Sequence, residues 1–195
     1  MKRRQGIAQR LFSRRPFLKA LLLGWLCALP ASLPAQDVIE PRLQIGVNLL
    51  PAIIAANKTV ISSPADTELS IYLVYDSNRH LAEQLLSRLA QLGAIRDRQL
   101  VISAVSLDTL LAREVDQTAS IFIVEPFDNR LGDLIEFSQQ HRALLFSPFQ
   151  GDVENGVNAG FQVTDKVLPM VNMASLKASK IQLKAFFLRI AVKHE

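Results

Sequence analysis

The sequence predicts an α/β protein. The expected form is a single small three-layer domain: a mainly parallel sheet of about four strands plus a C-terminal strand pair, with helices on both faces. Three observations carry this. Apolar runs of strand length alternate with amphipathic runs of helical period, the order of a parallel sheet crossed over by helices. Runs such as 120–124 (SIFIV) and 143–146 (ALLF) are apolar along their length, which suits strands covered on both sides. About 160 residues follow the first thirty-five, enough to bury a sizeable core in one domain.

The elements follow in order. Residues 43–57 (LQIGVNLLPAIIAAN) are apolar at helical spacing, and Pro51 should end or bend that helix or sit in its first turn. Residues 62–66 (SSPAD) make a turn. Leu69 to Tyr75 is a strand-length run rich in Ile, Val and Tyr, and Asp76-Ser77-Asn78 then supplies a helix cap. Leu81, Leu85, Leu89 and Leu92 fall at steps of three and four, so 80–92 is an amphipathic helix that Gly93 stops. A strand over 100–105 and a short helix to Arg113 come next, then the strand 120–124. A helix over 129–141 turns Leu131, Leu134, Ile135 and Phe137 inward, and 143–146 is the fourth strand. The stretch 147–160 (SPFQGDVENGVNAG) is a loop. Residues 161–164 and 167–171 flank Asp165-Lys166 as a hairpin, 174–178 is a short helix, and 183–192 closes the domain as helix or strand.

Charge separates the N-terminus from the rest. The chain has 22 Lys plus Arg against 18 Asp plus Glu. Seven of the bases, from Lys2 to Lys19, precede the apolar run 20–29, and no acid occurs before Asp37. The 15 bases and 18 acids left beyond residue 35 give a net charge of −3, so the basic balance is no nucleic-acid footprint. Ser13-Arg14-Arg15-Pro16-Phe17-Leu18-Lys19, the apolar run and Leu33-Pro34-Ala35 together read as a signal peptide of the twin-arginine type over 1–35. The apolar run is shorter than the roughly 20 residues a bilayer needs, so a signal cleaved after Ala35 is expected, with a retained membrane anchor as the alternative. The expected organisation is therefore 1–35 signal and 36–195 domain, with the domain in the periplasm. Cys27, the one cysteine, would leave with the signal, so the domain has no disulfide, thiol nucleophile or thiolate metal site.

The search for chemistry points away from catalysis. His80 and His141 are about sixty residues apart with no paired-ligand spacing, and no Gly-rich phosphate loop follows the first strand. No Gly-x-Ser-x-Gly elbow occurs. No catalytic residue, metal or cofactor is therefore assigned. The best candidate for a ligand or partner site is the loop after the fourth strand, where open α/β sheets place their ligands. It carries Phe149, Asp152, Glu154 and Asn155 beside Gly151 and Gly156. The bland alternative is a polar turn whose acids are solvated. Glu125 and Asp128, in Glu125-Pro126-Phe127-Asp128 after the SIFIV strand, could line the same edge, or Asp128 could merely cap the following helix. Phe146, Phe149, Phe161, Phe186 and Phe187 read either as an aromatic cleft or, more simply, as core.

One stretch carries a further signal. Gly160-Phe161-Gln162-Val163 leads to Val167 through Val171-Asn172. Ala174-Ser175-Leu176-Lys177-Ala178-Ser179 follows, then Leu183 with Phe187-Leu188-Arg189-Ile190-Ala191. This run, behind an opening helix and a small α/β sheet, resembles the YfiR family of periplasmic proteins. The resemblance covers most of the domain in outline and about thirty residues in motif. It implies a non-enzymatic regulator that contacts an inner-membrane signalling protein, a diguanylate cyclase or a sensor kinase, and that tends to form a homodimer. Family members with cysteine pairs offer redox control, and this domain, lacking cysteine, does not. The alternative expectation is a small periplasmic solute-binding domain, related to one lobe of a transporter-associated binding protein, that takes a small ligand.

Overall fold

A computed structural model of the chain describes residues 40–195. The segment assigned to the signal, 1–35, lies outside the described residues. Among those described, no helix is long and apolar enough to cross a membrane.

The chain opens with helix α1 (Pro41–Ala56) and a short helix α2 (Lys58–Ser62). Strand β1 (Leu69–Tyr75), helix α3 (Arg79–Ala90), a short β2 (Ala94–Ile95), β3 (Arg98–Ser106), α4 (Leu107–Leu111) and β4 (Ser120–Ile123) follow. Helix α5 (Leu131–His141), β5 (Leu144–Phe146), β6 (Ala159–Val163), β7 (Val167–Asn172), α6 (Met173–Ala178), α7 (Ala185–Ile190) and β8 (Val192–His194) complete it. All strands join one sheet in the order β2-β3-β1-β4-β5-β6-β7-β8. Strands β3, β1, β4, β5 and β6 run parallel, β2 and β7 are antiparallel to their neighbours β3 and β6, and β8 is parallel to β7.

The three layers follow from strand alternation. Leu69, Ile71, Leu73, Phe122 and Phe146 face a core shared with Leu50 of α1, Leu85 of α3, Leu176 of α6 and Phe187 of α7. Val74, Ile121, Ile123 and Leu145 face the opposite way, into a core closed by Leu110 of α4 and by Leu134 and Phe137 of α5. Phe122 and Phe146 stack at 5.5 Å between ring centres. Helix α1 comes so close to the sheet that a Cβ on Gly46 would lie 3.1 Å from Pro148 and 3.2 Å from the Phe122 ring. Pro41 takes the first turn of α1, and the helix runs on through Pro51 rather than ending there. Leu50, Ile53 and Ile54 are fully buried around that proline, and their packing holds the turn that lacks one amide.

Several expectations need correction. The sheet has eight strands, because the C-terminal pair continues the parallel sheet and two short edge strands extend it. Strand β2 turns into β3 through Arg96 and Asp97, both at positive φ (50° and 63°), the conformation of a two-residue hairpin that Asn-Gly usually signals. Leu92 is 46% exposed, because α3 ends at Ala90 and the leucine falls in the turn before β2. Residues 183–192 hold both a helix and the start of a strand. Of the five phenylalanines, Phe146, Phe161 and Phe187 are core, Phe149 is partly buried, and Phe186 is exposed.

Candidate functional site

The sheet order places a topological switch between β1 and β4. The chain leaves β1 toward β3 on one side and returns to β4 on the other, which opens a crevice beyond the carboxyl ends of both strands. Asp76-Ser77-Asn78 follows β1, and Glu125 follows β4.

These two ends are joined by one carboxylate. Oε1 of Glu125 accepts the backbone amides of Asp76 at 2.7 Å, Ser77 at 2.8 Å and Asn78 at 2.8 Å. Oε2 accepts the Ser77 hydroxyl at 2.7 Å. The donors converge because Asn78 caps α3, its side chain accepting the Leu81 amide at 3.0 Å, so the amides before the helix point outward together. Such a cradle suits an anion, and here the chain fills it with its own side chain. Partial burial pushes the Glu125 carboxyl up, but the three amides and the hydroxyl outweigh it and hold the group below its ordinary range. Arg130 stands beside this junction, 2.9 Å from Asp108, 3.2 Å from Asp133 and 3.9 Å from Asp76.

The loop after β5 lies on the same edge. It is a chain of bonded turns: Asn155 donates to the Gly151 carbonyl, Gly156 to Val153 and Val157 to Asp152. Gly151 and Gly156 take positive φ there. Of its two acids Glu154 is exposed, as a solvated turn would have it, and Asp152 is not. Asp152 is half-buried and accepts the Ser147 hydroxyl, whose oxygen in turn accepts the Phe149 amide at 3.1 Å. Burial raises the Asp152 carboxyl above its ordinary range despite the Ser147 bond, and the negative charges of Glu154 and Asp128 add to the rise. Asp128, Asp152 and Glu154 are thus electrostatic neighbours. Asp128 does not cap α5, which begins after Arg130 without a side-chain cap.

The loop is anchored underneath by the side-chain amides of Asn158 and Asn172. Asn158 is fully buried; its Oδ1 accepts the Leu145 amide at 2.9 Å, and its Nδ2 donates to Ser175 at 2.7 Å and Ser179 at 3.0 Å. Ser175 donates to the Gly156 carbonyl at 2.6 Å, and Asn172 donates to Val153 at 2.8 Å.

Between this loop, α1 and β6 lies a cavity of about 160 Å³, lined by Arg42, Phe149, Glu154, Phe161 and Met170 among others. Arg42 donates from Nε to the Pro148 carbonyl at 2.8 Å, and its guanidinium lies 4.9 Å from the centre of the Phe161 ring. The site therefore joins Phe149 and Glu154, two of the candidates, to Arg42, which no local motif announces. Glu125 belongs to the neighbouring switch-point junction. The Asn155 side chain is exposed and has no bonding role among the described contacts. Among the described residues no group of three or more His, Cys, Asp or Glu side chains could hold a metal ion.

No family model and no curated protein matches the chain. Solved structures do. An ABC domain from Streptococcus pneumonia, in complex with L-Trp, is similar with a TM-score of 0.51 and 13% identity; 78% of this chain and 60% of that chain are covered. A conserved domain protein from Vibrio cholerae o1 biovar eltor is similar with a TM-score of 0.51 and 17% identity, over 80% of this chain and 60% of that one. A substrate-binding protein with adhesive properties from Clostridium difficile, in its ligand-free, open form, has a TM-score of 0.48 and 13% identity, over 78% and 59%. The chain spans about three fifths of the length of these proteins. At such identities the likeness is one of fold: a mostly parallel α/β sheet flanked by helices, shared with the L-Trp-bound domain.

Proposed function

We propose that this chain is an exported, non-enzymatic binding domain for a small solute, sent to the periplasm by its twin-arginine segment. The observation that carries the reading is the cavity at the carboxyl edge of the sheet, where Arg42, Glu154, Phe149 and Phe161 come together. A cation, a carboxylate and two aromatic rings suit a small zwitterion with an apolar body. At about 160 Å³ the space is smaller than the roughly 300–1,000 Å³ of drug-sized sites, which limits the solute to about the size of an amino acid. The fold shared with a domain that carries L-Trp supports the same class of ligand. Binding rather than catalysis fits the bonding of the polar groups nearby. The Ser147 hydroxyl donates to Asp152 with no histidine beside it in the described bonding, and the Glu125 carboxylate is engaged by three backbone amides and the Ser77 hydroxyl.

The test is a melting-temperature screen of the folded chain against amino acids, L-Trp included, followed by calorimetry on each hit. A saturable rise that Glu154→Gln weakens is the expected result. A folded chain that no amino acid stabilises would reject the reading.

A second reading, the regulator implied by the resemblance to the YfiR family, is favoured by a different observation. The switch-point cradle is already filled by Glu125, and α7 leaves Phe186 and Ile190 48% and 58% exposed, one turn apart. In this reading the domain contacts a diguanylate cyclase or sensor kinase of the inner membrane. Affinity capture from cross-linked envelopes, with and without Phe186→Ser and Ile190→Ser, checks it. Recovery of such a protein by the parent chain and its loss with the double variant is the expected outcome.

A further inference from the structure

A second concavity lies away from the carboxyl edge, between α2, α6 and α7. It is a groove of about 460 Å³, and that volume is of small-ligand size. Met173, Leu176, Ile181, Leu183 and Leu188 form its apolar floor, and Lys58, Lys177 and Lys180 stand on its rim. The wall is built rather than incidental. The Lys58 amide donates to the Gln182 carbonyl at 2.8 Å, the Lys184 amide to Ala56 at 2.9 Å, and Asn57 pairs with Leu183 as an isolated antiparallel bridge.

Two features set the rim apart from ordinary surface lysines. Among the described residues none of the three ammonium groups has a carboxylate partner; Lys58 reaches only the Gln182 side-chain oxygen, at 3.4 Å. From Lys166 to the C-terminus the chain carries six bases and one acid, Glu195, although the domain as a whole is acidic. Secondly, Lys180 occupies a backbone position that favours glycine. Helix α6 ends in a paired motif: Ile181 donates to the Leu176 carbonyl at 2.9 Å and Lys180 to Lys177 at 3.1 Å. Lys180 sits at its left-handed position with φ 55°. Lys177 alone would complement the helix dipole, so the strained lysine brings a third positive charge to the groove that the fold does not require.

We propose that this groove binds a soluble single-chain anionic amphiphile, its apolar tail on the Met173–Leu188 floor and its carboxylate or phosphate head among Lys58, Lys177 and Lys180. Charge complementarity argues for the anion, and the apolar floor for the tail.

Decanoate is the probe, with decanol and decylammonium as neutral and cationic counterparts, measured by calorimetry on the folded chain below their aggregation limits. Decanoate is expected to bind one to one, more tightly than decanol by about tenfold and less tightly as salt rises. Lys180→Gly is the decisive variant. It removes the ammonium and relieves the left-handed backbone, so it should raise the melting temperature while weakening decanoate and leaving decanol unchanged. Lys58→Ala combined with Lys177→Ala should weaken decanoate further. Decanol binding as tightly as decanoate, decanoate affinity indifferent to all three lysines, or binding only to anionic vesicles would each overturn the proposal. So would lysine-dependent capture of an acidic peptide by a chain that ignores decanoate.

Discussion

Glu125 and Ser77 are 48 residues apart in sequence, yet each oxygen of the Glu125 carboxylate is held by the serine: Oε1 by its amide at 2.8 Å and Oε2 by its hydroxyl at 2.7 Å. This one side chain ties the end of β4 to the turn that starts α3. Because the group is partly solvated, removing it should cost less than a buried network would. Glu125→Ala is expected to destabilise by about 1–2 kcal/mol in urea denaturation. It also empties an amide cradle at a helix N-terminus, so phosphate should raise the melting temperature of the variant and not of the parent. Equal phosphate effects on both would show that the cradle does not form without its carboxylate.

The two shifted carboxyls have opposite consequences for pH. Glu125 is held below its ordinary value of 4.5, so its contribution is present above that value and is lost as pH falls through the lower, folded-state value. Asp152 is raised above its ordinary 3.8, so its favourable protonation is present below 3.8 and is lost as pH rises through the higher, folded-state value. Glu125→Gln should therefore flatten the acid limb of the stability profile. Asp152→Asn keeps an acceptor for Ser147 without the half-buried charge, and it should match or exceed the parent at pH 7 with no gain at pH 3. A loss at pH 7 as large as that of Asp152→Ala would contradict the assignment of burial as the main cause.

Asn158 predicts the largest polar effect. Its amide has no access to water and satisfies one backbone amide and two serine hydroxyls from separate elements. Asn158→Ala leaves the Leu145 amide without its acceptor and takes a donor from both serine hydroxyls, and it should cost about 3 kcal/mol in denaturant unfolding. Amide exchange at Leu145 should accelerate more than at Leu73 in β1, where no such bond is lost. Uniform acceleration would mean global weakening only.

What could be read in the sequence was whatever depends on neighbours along the chain. The β-rich composition of 69–75 was legible as a strand with the observed ends, and the leucine steps of 80–92 as α3 to within two residues at its C-terminus. Asp76-Ser77-Asn78 was legible as a cap. That its amides also receive Glu125 was not, because that depends on β4 lying beside β1, a fact of sheet order. Arg42 reaches Pro148 across 106 residues for the same kind of reason. Asn158 looked like one more polar loop residue, since nothing local tells a buried amide from a solvated one. The hairpin at Arg96-Asp97 was hidden because neither residue is the glycine that positive φ usually demands.

Gly160 offers a test of how tightly the candidate loop is packed. A Cβ there would lie 2.5 Å from the Ser147 carbonyl oxygen and 2.8 Å from the Val153 side chain, so something must move. The nearest obstacle is backbone, and the Ser147 amide is bonded to the Ala159 carbonyl at 3.0 Å, where β5 meets β6. Gly160→Ala is therefore expected to cost about 3 kcal/mol and to disturb the loop that forms one wall of the Arg42 cavity. Gly132, in the first turn of α5, has nothing within 4 Å of the same added atom. Gly132→Ala should be neutral or stabilise by up to about 1 kcal/mol, through the lower entropy of its unfolded chain and better helix propensity. Measured side by side by denaturant unfolding, the two variants separate space from propensity. Similar small effects at both sites would mean that β5 and β6 part easily, and that the cavity beside them is set by a softer loop than its hydrogen bonds imply.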